Sequence, residues 1–172
     1  MMKKIEHPIL LYFLTVMMLI LASYLGGNSI PADESITAMN LKTGEVAWCG
    51  PPQKEFGSVE FATSCSDKVK PDFNMAMALL HSFEYDEAEK VFVKIIEKES
   101  QCAMAYWGVA MSNYHPLWAP PSQAELLKGA KSIAIARSIT KTSTRESEYI
   151  DAIGMFYKDW DKKRLQNPMY HL

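Results

Sequence analysis

Two histidines and two methionines are the residues of this sequence whose types and spacing come nearest to metal chemistry. His81 and His115 are separated by 34 positions, and Met77 and Met111, four residues earlier in each case, keep the same separation. Imidazole and thioether groups suit a soft ion such as Cu(I). Two histidines fall short of the ligand set of a typical metal centre, and histidine is also favourable at helix ends for structural reasons. A small-ligand or metal-binding protein, holding copper or haem, is therefore kept as an alternative function.

The three cysteines, Cys49, Cys65 and Cys102, form the second chemically informative set. They lack the C-x-x-C spacing of a metal site, and an odd number leaves one thiol over after one pair has formed. Three pairings are open. We favour a disulfide between Cys65 and Cys102, because each lies just before a predicted helix. The alternative is three buried thiols.

The sequence shows no grouping that predicts catalysis. Ser64, Cys65 and Ser66 have no histidine near them in sequence, and the carboxylates fall mostly on the polar faces of predicted helices. Eighteen Lys and Arg residues against 20 Asp and Glu residues give a net charge of -2, which leaves no basic surface for nucleic acid. We therefore predict a protein that is not an enzyme, needs no cofactor and does not bind nucleic acid.

The N-terminal segment predicts contact with a membrane. Lys3 and Lys4 precede an apolar stretch, Ile9 to Leu25, whose 17 residues are long for a signal-peptide core and at the lower limit for a spanning helix. Residues 1–27 are thus predicted to be a signal peptide or a membrane anchor. In both cases we expect the rest of the chain outside the cytoplasm, in the periplasm or anchored in the inner membrane.

The chain between this segment and the helical part is predicted to be irregular. Residues 28–71 are rich in glycine and proline and contain two short alternating pieces, "EVAW" and "SVEF", which favour a small hairpin. Residues 161–172 are predicted to be a tail with a basic cluster. The folded domain is therefore placed at residues 72–160.

Apolar residues recur with helical spacing almost throughout that domain. Helices are predicted at Phe73 to Phe83, Tyr85 to Lys98 and Cys102 to Tyr114. Two more begin at capping boxes, in which a serine is followed three residues later by a glutamate: Ser122 with Glu125, and Ser143 with Glu146. The apolar face of the fourth helix consists of Leu126, Leu127, Ala130, Ile133 and Ala134, and that of the fifth consists of Tyr149, Ile150, Ile153, Phe156 and Tyr157. Short connections favour an all-α fold of antiparallel helix pairs.

The first two helix pairs resemble one another. An offset of 34 residues pairs Phe73 with Trp107, Met75 with Val109, Ala76 with Ala110, Met77 with Met111, and His81 with His115. A period of 34 is that of the tetratricopeptide repeat, and residues 72–160 resemble that family, in particular its exported bacterial members. Ala88 and Phe92 match the small and aromatic positions of the second helix of a repeat. The insertion "HPLWAPP" makes the turn of the second unit longer than the family's.

The resemblance implies a short stack of helix pairs that binds a protein or peptide partner in a groove. In this family the first helices of the units line the groove, and no catalytic residues are implied. The implied partner-binding residues are apolar or aromatic apart from the histidines, so the expected ligand is an apolar peptide face. The alternative is that this stripe belongs to the core. The residues are Phe73, Met77, Leu80, His81, Met104, Trp107, Met111, Tyr114 and His115.

The last predicted helix has no second helix to complete a third unit. Stacked repeats need covered ends, and Tyr149, Ile153 and Phe156 would leave an apolar face open. The interpretation favoured from the sequence is an N-terminal fragment of a longer repeat protein. A truncated repeat protein without an independent function is a further alternative.

Overall fold

The computed structural model describes residues 12–18, 31–47, 59–114 and 120–159. Seven helices lie in these ranges, and no strand does. The prediction of an all-helical protein is therefore confirmed for this part of the chain. The helices are α1 (residues 12–18), α2 (Ala32–Met39), α3 (Lys70–His81), α4 (Tyr85–Lys98), α5 (Ala103–Ser112), α6 (Gln123–Ser138) and α7 (Thr144–Tyr157).

Local sequence signals explain where several helices begin. Both predicted capping boxes form. At α6 the Ser122 hydroxyl accepts a hydrogen bond from the Glu125 backbone N–H at 3.3 Å, while the Glu125 carboxylate accepts one from the Ser122 N–H at 2.7 Å. Ser143 and Glu146 form the same pair at α7. α4 has the predicted bounds, whereas α3 runs from Lys70 to His81 because Pro71 is accommodated in its first turn.

The helices from α3 to α7 pack in sequence order, each against the next. α5 also contacts both α3 and α7, so these three helices lie side by side with α5 in the middle. α4 packs on α3 and α5, and α6 packs on α5 and α7. α2 contacts α4 and α6. The result is a layer of α3, α5 and α7 supported by α4 and α6, with α2 against the supporting helices.

Close approach between α4 and α5 depends on a glycine. A Cβ atom at Gly108 would lie 2.3 Å from a ring carbon of Phe92, which is fully buried. The neighbouring positions Ala88 and Ala110 are also fully buried. Small residues therefore let the two helices approach until the Phe92 ring fills the space between them.

The prediction that residues 28–71 are irregular is wrong at α2. Asp33 and Glu34 lie in the first turn of α2, where negative charge is favourable, and Ser35, Ile36 and Met39 are buried. This apolar pattern spans only two turns, too few for helical periodicity to be read from the sequence. Of the predicted hairpin, residues 45–47 and 59–61 are described and form no strand; the rest lies outside the described residues.

The apolar face of α6 is buried only in part. Leu127 and Ala134 are exposed, whereas Lys128 and Ser132 are buried. On α4, helical spacing places Glu89 on the charged face of the helix, but the residue is only 1% exposed. These positions are buried because α2 and the residues after it cover α4 and α6.

Three hydrogen bonds compensate for the burial of Glu89. Its carboxylate accepts from the Lys128 ammonium at 2.8 Å, from the Asn113 side chain at 2.9 Å and from the Lys42 backbone N–H at 2.8 Å. A buried charge is tolerated only with partners of this kind. One carboxylate thus joins α4, α6, the end of α5 and the chain after α2.

Most of the predicted signal peptide or anchor, residues 1–27, and the tail, residues 161–172, lie outside the described residues. Residues 12–18 of the apolar segment are helical. Among the described residues, none of the helices combines the length and the apolarity needed to cross a membrane.

Candidate functional site

A groove of about 530 Å³ lies on the layer formed by α3, α5 and α7. Its lining comes from the second half of α3, from α5 and the residues just after it, from one side of α7, and from residues 59–61. Every lining residue except His81 is aliphatic, aromatic or methionine. The lining consists of Val59, Phe61, Met77, Leu80, His81, Trp107, Met111, Tyr114, Tyr149, Ala152, Ile153 and Phe156.

Six of the nine residues implied as partner-binding line this groove: Met77, Leu80, His81, Trp107, Met111 and Tyr114. Phe73 and Met104 do not, because they lie in the first turns of α3 and α5 and are buried. The Phe73 ring packs against those of Phe61 and Phe92, so the preceding segment covers it. The expectation that Phe73 and Met104 face the groove is corrected accordingly. His115 lies outside the described residues.

The α7 residues that the sequence left without a cover form a wall of the groove. Tyr149, Ile153 and Phe156 line it together with Ala152. The Phe156 ring meets that of Tyr114 edge-to-face, with 4.6 Å between ring centroids. Their apolar spacing was the signal in the sequence, but it did not indicate that α7 faces the same space as α3 and α5.

The contribution of Val59 and Phe61 was missed from the sequence. The ring of Phe61 stacks on that of Trp107, with 6.0 Å between centroids and 18° between planes. It also lies 5.7 Å from the Phe73 ring and 5.5 Å from the Tyr149 ring. Phe61 therefore occupies an aromatic site at one end of the groove, built from α3, α5 and α7.

The segment that carries Phe61, residues 59–66, is called the strap below. Cys65 of the strap forms a disulfide with Cys102, the residue before α5, with 5.1 Å between their Cα atoms. This is the pairing that the sequence favoured. Cys102 is almost completely buried, and Cys65 is half-buried. The strap is thus covalently fixed to the start of the helix that carries Trp107.

Two carboxylates also hold the strap. Glu146 accepts hydrogen bonds from the Ser64 backbone N–H at 2.7 Å and from its hydroxyl at 3.1 Å. Glu99 accepts from the Ser66 backbone N–H at 3.1 Å and from its hydroxyl at 2.5 Å. The strap is therefore fixed to the end of α4 and to the start of α7, as well as to α5.

The same hydrogen bonds determine the ionisation of Glu146, which is fully buried. Burial alone would raise its pKa, but bonds from Ser143 and Ser64 to the charged form lower it below the ordinary value of 4.5. The carboxylate is consequently ionised near neutral pH, and its charge is matched by four hydrogen-bond donors rather than by a cation.

Arg145 binds the strap from the solvent side. Its guanidinium carbon lies 5.1 Å from the centroid of the Phe61 ring, and one of its N–H groups donates to the Ala62 carbonyl. Cation–π contact of this kind favours one ring position over the others. Phe61 thus contacts both Arg145 and Trp107.

The residues proposed for a metal are brought together only in part. Met77, His81 and Met111 all line the groove, and the fourth, His115, is outside the described residues. In the ranges that the structure describes, no three His, Cys, Asp or Glu side chains are grouped so that they would hold a metal ion.

Comparisons with protein-family models, with curated proteins and with solved structures find no match to this chain. The repeat pattern of the sequence and the residues of the groove are therefore the features that bear on function.

Proposed function

We propose that this protein is a tetratricopeptide-like interaction scaffold whose groove binds an apolar segment of a protein or peptide. The repeat pattern agrees with several contacts. Ala76 and Ala110, equivalent at the offset of 34, are both fully buried, and Met77 and Met111 both line the groove. The side-by-side placement of α3, α5 and α7 is also what stacked units would give.

The observation that carries the proposal is the composition of the groove. Its volume of about 530 Å³ falls within the range of roughly 300–1,000 Å³ common for ligand sites. Methionines and aromatic rings line it, and such residues adapt to a partner and form good anchoring contacts. Because nearly all of the wall is apolar, binding would come mainly from burial of apolar side chains.

The groove supports binding better than turnover. Its titratable side chains are the His81 imidazole and the hydroxyls of Tyr114 and Tyr149. His81 itself is exposed at the end of α3. Among the residues that the structure describes, the lining supplies no carboxylate, cysteine or serine with which that histidine could act.

A matched pair of methionine variants tests the proposal. Met111 lies half-buried in the groove, whereas Met155 on α7 is 61% exposed and does not line it. Peptides selected from a random library on the wild-type domain should carry bulky apolar residues, and their affinity can be measured by fluorescence anisotropy. Met111→Glu should weaken binding by at least tenfold, because a peptide side chain would have to desolvate the new carboxylate. Met155→Glu should have no effect.

Two results would contradict the scaffold proposal. One is a selection that yields no apolar peptide above the background obtained with Met111→Glu. The other is equal affinity of Met111→Glu and Met155→Glu for the selected peptides. Circular dichroism of both variants ensures that any loss of binding is not a loss of fold. Export of the domain, which we propose together with the scaffold, agrees with the Cys65–Cys102 disulfide.

A small-ligand function is the second candidate, since Met77, His81 and Met111 share the groove wall. Native mass spectrometry and metal analysis of purified protein distinguish the two. The scaffold proposal predicts no stoichiometric copper, haem or other small molecule, and stoichiometric retention of one would favour the alternative.

A further inference from the structure

The strap enters the groove as a bound peptide would. Val59 and Phe61 are half-buried and line the groove, while Glu60 and Ala62 between and after them are exposed. Alternation of this kind is the pattern of an extended chain with every second side chain directed to one surface. The protein's own chain therefore already fills part of the surface that the proposed partner would use.

The part that is filled is the aromatic end. Phe61 lies within 6.0 Å, centroid to centroid, of the rings of Phe73, Trp107 and Tyr149. The opposite end, near Leu80, Met111 and Phe156, has no strap residue in its lining. Because Phe61 occupies the aromatic site, a partner is left with this second end.

The strap is fixed strongly enough to resist displacement. Phe61 is four residues from Cys65, and Trp107 is five residues from Cys102, so the disulfide closes a short connection between the two stacked rings. A tethered group competes with a free ligand at an effective concentration in the millimolar range. A free side chain of equal intrinsic affinity, present at micromolar concentration, would therefore leave Phe61 in place.

We propose that the strap is a built-in occupant of the groove and that Phe61 determines the length of apolar segment that a partner can insert. The partner is then a short apolar segment whose bulky side chains enter only the end near Met111 and Phe156. This inference rests on the proposed function. It adds a specificity-determining residue outside the repeat region, and it limits the partner's apolar contact to less than the whole layer of α3, α5 and α7.

A ladder of peptides tests this limit. The probes are extended, fluorescein-labelled peptides with one, two, three or four leucines at alternate positions in a serine and glycine background. For the wild type, affinity should rise with each leucine until the open end is full and then remain constant. For Phe61→Ala, the rise should continue for one further leucine, with a gain of roughly tenfold at that step, because the vacated aromatic site accepts it.

A second variant and a control distinguish an effect on the aromatic site from a folding defect. Phe61→Leu keeps an apolar side chain in place and should give a smaller gain at the same step. Leu127→Ala changes an exposed leucine of α6 outside the groove and should reproduce the wild-type ladder. The affinity for the one-leucine peptide should be the same in all four proteins, which shows that the open end is intact.

The outcomes separate the two proposals. If no peptide of the ladder binds the wild type or Phe61→Ala, the groove is not an apolar binding site and the proposed function fails. If the peptides bind but the wild type and Phe61→Ala reach their limit at the same number of leucines, the groove binds peptides and the role of Phe61 is refuted.

Discussion

Reduction of the Cys65–Cys102 disulfide should destabilise the domain by an amount that follows from the length of the loop it closes. The two cysteines are 37 positions apart. In the chain-entropy model, a cross-link over a loop of that length lowers the entropy of the unfolded chain enough to contribute about 4 kcal/mol at 25 °C. The reduced protein also loses the covalent connection of the strap, so the expected loss lies between about 3 and 5 kcal/mol.

Urea unfolding followed by circular dichroism measures this difference. The experiment uses a Cys49→Ser background, so that the third thiol cannot exchange with the disulfide. Oxidised protein is compared with protein kept reduced by a dithiol, and intact-mass analysis after alkylation confirms each state. A loss below about 1 kcal/mol would refute the stabilisation expected from closure of this loop.

Three further predictions concern buried groups. Lys128→Met should lower the free energy of unfolding in urea by about 3–5 kcal/mol, because it leaves Glu89 as a buried charge without its cation. The control Lys131→Met, on the exposed side of α6, should lower it by under about 1 kcal/mol. Equal effects of the two substitutions would contradict the buried pair. Gly108→Ala should cost about 1–3 kcal/mol through overlap with the buried ring on α4, and an unchanged unfolding midpoint would show that the helices have room to separate. The pKa of Glu146 is lower in the folded protein than its unfolded value of 4.5, so its ionised form stabilises the fold above pH 4.5, and this stabilisation is lost as the pH falls through the folded pKa. Glu146→Gln should therefore make the unfolding free energy less sensitive to acid. An identical pH profile for the variant and the wild type would refute this role of Glu146.

The sequence was most informative where the structural signal is local. The bounds of α4 follow from five apolar residues at helical spacing and a charged opposite face, and both capping boxes need only residues three positions apart. The capping hydrogen bonds form within a single turn of chain. Such features depend little on how the rest of the protein packs, which is why they could be predicted.

The burial of Glu89 could not be predicted from the spacing of residues along its helix. Helical spacing places Glu89 with the solvated residues of α4, and nothing nearby in sequence indicates a cover. Its partners Lys42 and Lys128 are 47 and 39 residues away, and α2, which packs against this side, is too short to be recognised. Contacts with segments distant in sequence therefore determine that this side of α4 is buried.

The groove was predictable in part for the same reason. Met77 and Met111 could be identified because the repeat places them at equivalent positions, and Trp107 because it lies four residues before Met111 on the same face of its helix. Phe61 could not be identified, because it lies before the repeat. Its contact with Trp107 joins residues that are 46 positions apart in the sequence. Phe61 also packs against Phe73, which explains why Phe73, expected in the groove, is buried under the strap.

The most direct test of groove binding is an NMR titration of protein labelled at the methionine methyl groups. A selected apolar peptide is added to the wild-type protein, and the methyl signals are followed. Met77 and Met111 line the groove, whereas Met155 is exposed outside it. We predict shifts at Met77 and Met111 that saturate with the binding curve, with Met155 unchanged. Saturating shifts confined to Met155, or none at the two groove methionines, would contradict the proposal that this groove is the binding site.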